Sequence, residues 1–314
     1  MNKKYVISTL VAFVMALVMF VQPVQTLALD FLSIFRVNDV KTIRITLADI
    51  EEGMQTMSNM KEGLKGQELD HKQLVNIVSQ QKPEKTTLND ARDFGAFRFQ
   101  LPRELDSEQP TLFAVESASK TFTIDVDASN EFLTMINSQK LLSNQIRDVE
   151  FTQVSSATAF AKYDEVLFLA TQKSFLNAPD AVKDELHDVM INLPIIPTNI
   201  RQQLAEIEQD SADIYLPVLV GFGREVDLGG KKGYIYTVSD FKALTETMSG
   251  AMPEIMPHNK SEAMPDMKEK FIVQHGEQQF DNASVLVWTE NGLLYSLIAD
   301  KADAELAKIA RSVR

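Results

Sequence analysis

Residues 284–314 read SVLVWTENGLLYSLIADKADAELAKIARSVR, and no other stretch of the chain constrains its folding as tightly. Two apolar runs flank Asn291-Gly292, the pair best suited to a two-residue type I′ turn, because both central positions need positive φ. That turn sets Glu290 opposite Leu293, Trp288 opposite Tyr295 and Leu286 opposite Leu297 on one face, with Val285 and Ile298 paired on the other. A helix is predicted to come directly after it. Asp300 is placed to cap it and Asp303 falls in its first turn, while Leu306, Ile309, Ala310 and Val313 make an apolar stripe that folds back over the sheet. None of these side chains is a catalytic group, so the block speaks to architecture.

The opposite end speaks to location. Lys3 and Lys4 precede an apolar run over residues 5–21, broken only by Ser8 and Thr9 and ended by Gln22-Pro23. Positive charges ahead of such a run keep the N-terminus inside and send the downstream chain across the cytoplasmic membrane. Residues 1–28 are therefore expected to be a signal peptide or an N-terminal transmembrane anchor. Length leaves both open, and Thr26-Leu27-Ala28 supplies the small residues of a cleavage site. The chain is then a single-pass protein of the cell membrane with its C-terminal domain outside the cytoplasm, or secreted if cut near Ala28. A formal net charge of −13 and a pI near 4.9 oppose binding to nucleic acid or to an anionic membrane surface. The absence of cysteine excludes disulfides, thiolate metal sites and thiol nucleophiles.

Between the two ends, residues 31–46 read as a strand region, followed from Ala48 by a helix with Ile50, Met54, Met57, Met60 and Leu64 on one face. Residues 65–85 read as a polar linker with one short helix around Leu74-Val75-Asn76-Ile77, so that 29–85 is a strand-helix segment with its linker and 86–314 the extracytoplasmic domain. Within that domain an edge strand is expected over 94–102, stopped by Pro102, and further strands over 112–115, 121–126, 151–155 and 165–171. Asp127 caps a short helix that buries Phe132, Leu133 and Ile136. A helical hairpin comes next, the first helix with Asn177 and Asp180 in its cap and first turn and an inner stripe of Val182, Leu186, Val189, Met190 and Leu193. Thr198 caps the second, which buries Ile200, Leu204 and Ile207. Strands return over 215–220, 224–228 and 233–238, with Gly229-Gly230 as a turn, and 241–270 is an excursion rich in methionine and proline. The pattern predicts an α+β fold: an antiparallel sheet with packed helices, preceded by one N-terminal hydrophobic export or anchor helix.

Motifs that carry chemistry are few. His71, His187, His258 and His275 stand far apart and outside any H-E-x-x-H spacing, and His187 falls on the polar side of its helix with Asp180, Asp184 and Asp188, as a solvated residue. Met248, Met252, Met256 and His258 are the candidate metal ligands, since thioethers and an imidazole suit Cu(I). Pro253, Pro257 and Pro265 prevent one helix from presenting them together, and methionines also serve as adaptable contact surface. No G-x-S-x-G occurs. Gly229-Gly230-Lys231-Lys232-Gly233 lacks the spacing of a phosphate loop and reads as a hairpin turn, and the acidic pairs Asp125 with Asp127 and Glu206 with Asp210 read as solvated faces. The expectation is a non-enzymatic chain without a resident cofactor; the alternatives are a copper-binding protein using the Met248, Met252, Met256 and His258 segment, or an enzyme acting on envelope material through a site assembled from distant residues.

Residues 285–295, then Glu305-Leu306 and Ile309-Ala310-Arg311-Ser312-Val313, resemble a family of exported bacterial proteins carrying a domain of unknown function. That domain is also found as the outer portion of some membrane-anchored anti-sigma-like regulators. Residues 91–102 are similar to the family's opening pattern, with the order reversed at Phe94-Gly95. Residues 226–234 resemble the turn before its terminal hairpin, and residues 31–37 a stretch found after its export segment. The resemblance implies an exported binding or sensory protein, distantly like lipoprotein carriers and envelope-stress regulators, and brings no catalytic residues. With only Met1 to Lys4 ahead of the apolar run, no cytoplasmic domain is expected to hold a sigma factor. The expected partner is an envelope or membrane protein or an apolar ligand, with the membrane engaged through the N-terminal segment.

Overall fold

Four stretches of chain each supply a strand to two antiparallel sheets in turn, and the rest of the molecule is arranged around them. A computed structural model describes residues 40–63, 74–206, 214–240, 243 and 283–313. The first stretch gives β2 (Val75–Gln80) and β3 (Lys85–Leu88). The second gives β4 (Thr111–Val115) and β5 (Ser119–Ile124), the third β6 (Phe151–Val154) and β7 (Thr158–Lys162), the fourth β8 (Val166–Gln172) and β9 (Phe175–Asn177). The four-stranded sheet runs β2-β5-β6-β9. The eight-stranded sheet runs β11-β12-β13-β14-β8-β7-β4-β3, adding β11 (Arg224–Asp227), β12 (Lys232–Thr237), β13 (Ser284–Glu290) and β14 (Leu293–Ala299).

Backbone bonds stitch the two ladders together where the strands break. Gln81 N donates to Ser119 O at 2.8 Å, Ser155 N to Ala118 O at 2.8 Å and Gln172 N to Ala157 O at 2.8 Å. Side-chain alternation survives the break as well: Leu112, Ala114, Ala118, Phe122 and Ile124 are all buried, and so are Phe151, Ala157, Ala159 and Ala161. One side of this long array therefore carries two cores. Over the four-stranded sheet, α2 (Val126–Met135), α3 (Asp180–Ile191) and α4 (Thr198–Ala205) bury Phe122, Phe151, Leu133, Val182, Val189 and Leu204. Over the eight-stranded sheet, α5 (Asp303–Arg311) and the irregular segment 94–105 bury Phe168, Leu286, Trp288, Tyr295 and Leu306.

A third cluster lies on the opposite face, where Tyr234, Tyr236 and Val285 meet Leu216, Leu219, Ile50 and Met54. Its outer layer is a parallel pair, β1 (Val40–Ile45) with β10 (Ile214–Leu219), and α1 (Leu47–Gly63). Thr46 and Asp49 start α1 with reciprocal bonds: Thr46 N donates to Asp49 Oδ2 at 2.7 Å and Asp49 N to Thr46 Oγ1 at 3.2 Å. Thr237 and Asp240 repeat the arrangement after β12.

The terminal hairpin has the predicted register at every pair, including Trp288 with Tyr295 and Glu290 with Leu293. Asn291 at φ 51° and Gly292 at φ 74° make the turn. Leu306, Ile309, Ala310 and Val313 are buried. Asp300 does not cap α5; Ala302 holds that position without a side-chain bond, and Asp303 instead receives Arg224 Nε at 2.7 Å. Asp125, not Asp127, caps α2 by accepting from Ala128 N, which frees Asp127 to pair with Arg147. Pro179 and Pro197 occupy the caps of α3 and α4, because a proline there sacrifices no helical bond. Asn177 lies in β9, and Thr198 uses its N–H and Oγ1 to donate to Glu52 Oε1 of α1 at 3.0 and 2.9 Å.

Two expectations fail on backbone type. Residues 75–80 form β2 rather than a helix within a linker, since the β-branched Val75, Ile77 and Val78 gain a partner strand in β5. Segment 94–102 is no strand: Phe94 and Phe99 both turn inward from an irregular backbone, and Pro102 makes only a single bridge to Val313. The parallel β1–β10 pair and the strands β3, β7 and β9 have no counterpart in the sequence pattern, while the antiparallel α+β character agrees with it. Among the described residues no helix is long and apolar enough to cross a membrane. The run over residues 5–21, like Leu64, Ile207 and most of 241–270, lies outside them.

Trp288 is 1% exposed and stacks on rings from two other strands. Trp288→Ala is expected to cost about 3–5 kcal/mol, read as a lower urea midpoint. Gly292→Val at the turn is expected to be destabilising by a smaller amount.

Candidate functional site

The site is built on a stack of rings. Tyr295 of β14 lies 5.2 Å from Trp288 of β13 with planes 11° apart, Phe168 of β8 lies 5.9 Å from Tyr295, and Phe99 lies 5.7 Å from Phe168 at 9°. Trp288 and Tyr295 are direct cross-strand partners, Phe168 lies on the same face one pair along, opposite Leu297, and Phe99 descends on them from segment 94–105. Burial pushes the Tyr295 hydroxyl up to about 12, with the Glu290 carboxylate adding to the effect.

The segment itself is pinned to α5 and its end. Arg103 N donates to Ser312 O at 3.2 Å, Glu104 N to Ser312 Oγ at 3.1 Å, and Lys308 pairs with Glu104 at 2.6 Å. On the far side, Leu228 packs so closely that a Cβ on Gly233 would fall 2.9 Å from side-chain carbons of Leu228 and Leu286. Residues 91–102, 226–234 and 285–313, far apart in the chain, thus meet at one place.

Within this segment, Arg92, Phe94, Phe97, Arg98, Phe99 and Leu101 line an open groove of about 510 Å³ whose walls come from residues 91–101 alone, Phe99 being the one ring it shares with the stack. Phe94 and Phe97 meet edge to face at 4.8 Å and 89°. Phe94 and Phe99 are buried, Phe97 is half-buried and Arg98 is exposed. Asp90 holds the near rim. Its carboxylate accepts from Arg92 Nε at 2.9 Å and Nη2 at 2.8 Å, and the Arg92 guanidinium keeps it well below the usual carboxylate range. Asp93 Oδ2 accepts from Asp90 N at 3.0 Å, so the rim begins as a closed capping box. Arg98 has no ion pair among the described residues. The groove offers aromatic surface and a planar cation but neither nucleophile nor general base, a set suited to holding an apolar group that carries a carboxylate or phosphate.

Residues singled out from the sequence are used otherwise or lie elsewhere. Met248, Met252, Met256 and His258, like His71, His275 and Asp210, lie outside the described residues. Among those described, no group of three or more His, Asp and Glu side chains could hold a metal ion. His187 is buried rather than solvated, and desolvation lowers its pKa against the opposing pull of Asp188 and Asp184. The reason is that α3 is covered over a wider arc than its stripe of Val182, Leu186 and Val189 implies. Asp125 and Asp127 are a helix cap and the partner of Arg147, not a working pair of carboxylates. Gly229-Gly230 is a turn, at φ 80° and 91°, with Asp227 Oδ1 accepting from both amides at 3.0 and 2.8 Å. Sequence reasoning does not single out Phe97 and Arg98. Their signal is the Phe94, Phe97, Phe99 spacing, which suits an edge strand as well as the irregular backbone that carries it.

Tyr295 and Tyr236 are both raised to about 12 by burial. A tyrosine raised in the folded state contributes stability that is complete below its unfolded value and is lost as pH climbs through the folded one. An alkaline titration followed by tyrosinate absorbance is therefore expected to show these two ionising late, with stability falling between pH 10 and about 12. Tyr295→Phe removes part of that fall. Comparison of the chain with protein-family models, with characterised proteins and with solved structures gives no match.

Proposed function

We propose that this chain is a non-enzymatic binding or interaction module of the bacterial cell envelope, held outside the cytoplasm by its N-terminal segment or released from it. It serves a membrane complex in a sensory or accessory role. The groove above the terminal hairpin is where it meets a partner protein or an apolar ligand. The observation that carries the reading is the contrast between Phe97 with Arg98 and the rings beneath them. The Phe99, Phe168, Trp288 and Tyr295 stack is spent on packing, whereas Phe97 stays half-buried and Arg98 exposed over that rigid floor. A preformed site on packed elements loses little freedom when it binds. The lysines at positions 3 and 4 ahead of the apolar run support the location.

A photo-crosslinking residue in place of Phe97, introduced into the full chain in its native host, tests both parts. An adduct in the envelope fraction that disappears with Arg98→Glu is the expected result. Recovery of the chain in the cytosol with residues 1–28 still attached, and with no adduct, overturns the proposal.

A further inference from the structure

The layer over the third cluster is held differently from the helices over the other two cores. α5 buries Leu306, Ala307, Ile309 and Ala310, and α3 buries Val182, His187, Val189 and Met190. Over residues 42–56, which take in most of β1 and of α1, only Ile43 and Asp49 are buried, while Ile45, Leu47, Ile50 and Met54 are half-buried. β1 pairs with β10 as a two-stranded parallel sheet that shares no strand with the other two. A lone pair of strands is marginal in water, and a parallel ladder is slightly the weaker kind.

What fixes this layer to the body is largely polar. Asp49 Oδ2 accepts from Asn199 Nδ2 at 2.9 Å, and Glu52 Oε1 accepts from the N–H and Oγ1 of Thr198. Gln203 exchanges two bonds with one residue of β1: its Oε1 accepts from Arg44 N at 2.8 Å and its Nε2 donates to Arg44 O at 2.9 Å. No ion pair among the described residues reinforces them. Thr198, Asn199 and Gln203 all lie on α4, an eight-residue helix of which only Leu204 is buried, so the clamp is mounted on a lightly packed element.

Water replaces such hydrogen bonds at small net cost. Asp49 is 4% exposed without a cation beside it among the described residues, so opening also returns its carboxylate to water and recovers part of its desolvation cost. An element with few buried apolar contacts opens locally well below the cost of unfolding the whole domain. The contrast is with β13 and β14, where Trp288, Tyr295 and Leu286 are each within 1% of complete burial.

We infer that β1 and α1 form a releasable strap, which lets go of α4 and of the third cluster as one piece while the two antiparallel sheets stay folded, and so uncovers Leu216, Tyr234, Tyr236 and Val285. β1 starts at Val40, close in the chain to residues 1–28. Tension on a membrane-held N-terminal segment therefore acts on the strap first; that use rests on the location proposed above, whereas the release does not.

The test is amide exchange on the full chain in detergent micelles across a series of low denaturant concentrations. Residues 42–56 are expected to exchange through one shared opening, on the order of a hundredfold faster than β13 and β14. Asn199→Ala with Gln203→Ala is expected to speed exchange over residues 42–56 on the order of tenfold and to leave β13 and β14 unchanged. Because the chain has no cysteine, Gly53→Cys with Pro197→Cys introduces one possible disulfide, at a point where a Cβ on residue 53 would lie 3.7 Å from Pro197 Cγ. Oxidation is expected to slow residues 42–56 to the rates of the sheets, and reduction to restore them. Exchange of residues 42–56 together with β13 and β14 overturns the inference, as does residue-by-residue fraying along α1 with no shared opening. Equal rates in the oxidised and reduced forms overturn it as well.

Discussion

The contact on which the rest depends is the stack of Trp288, Tyr295 and Phe168 across three neighbouring strands. Full burial of rings of this size contributes about 1.5–3 kcal/mol each, and every one of the three is within 1% of complete burial. Because the rings lie nearly parallel on adjacent strands, the register of β13, β14 and β8 cannot slip by one residue without turning them out of the core. The stack then decides which segments cover the sheet. Phe99 completes it from above, which draws segment 94–105 over the hairpin, and Leu306 and Ile309 of α5 close the remaining side.

The same constraint gives the groove its rigidity. Its lining segment is anchored in the core by Phe94 and Phe99, and the segment's ends are tied by Asp90 with Arg92 on one side and by the bonds of residues 103 and 104 to Ser312 on the other. Alanines at 114, 159, 161 and 170 beneath this layer are fully buried, so the covering segment approaches the sheet closely there. The second sheet is organised on different terms. Its core comes from three helices and the sheet beneath them, joined by polar ties such as Ser143 Oγ to Glu185 Oε2 at 2.8 Å, and among the described residues β2 pairs on one side only.

Local signals in the sequence serve the fold well where one short stretch contains the whole decision. Asn291-Gly292 demands positive φ and admits one register, so the pairing from Val285 with Ile298 to Glu290 with Leu293 is legible in those residues alone. The stripe from Leu306 to Val313 is equally plain, because a helix repeats its buried face every three or four residues. Caps are less legible. Asp125 and Asp127 are both good cap residues two positions apart, and only the bond from Ala128 N to Asp125, with Arg147 beside Asp127, distinguishes them. For the site, the residues of the groove stand out as a run of aromatics, but their spacing suggests a strand where the backbone is irregular.

By itself the sequence determined the terminal hairpin and its helix, the antiparallel α+β character, and the lysine-led apolar run at the N-terminus, because each depends on neighbours within one turn, one strand pair or one helix. Tertiary structure alone decided the long-range partners. It paired β1 with β10 across 174 positions, made a strand of Val75–Gln80 by offering β5 beside it, and folded Phe94 and Phe99 inward from a chain that is neither helix nor strand. It also brought residues 91–102, 226–234 and 285–313 to one surface. The physical reason is that local propensity is worth tenths of a kcal/mol per residue, while burying a ring or completing a ladder is worth about one or more, so distant contacts overrule local preference wherever the two conflict.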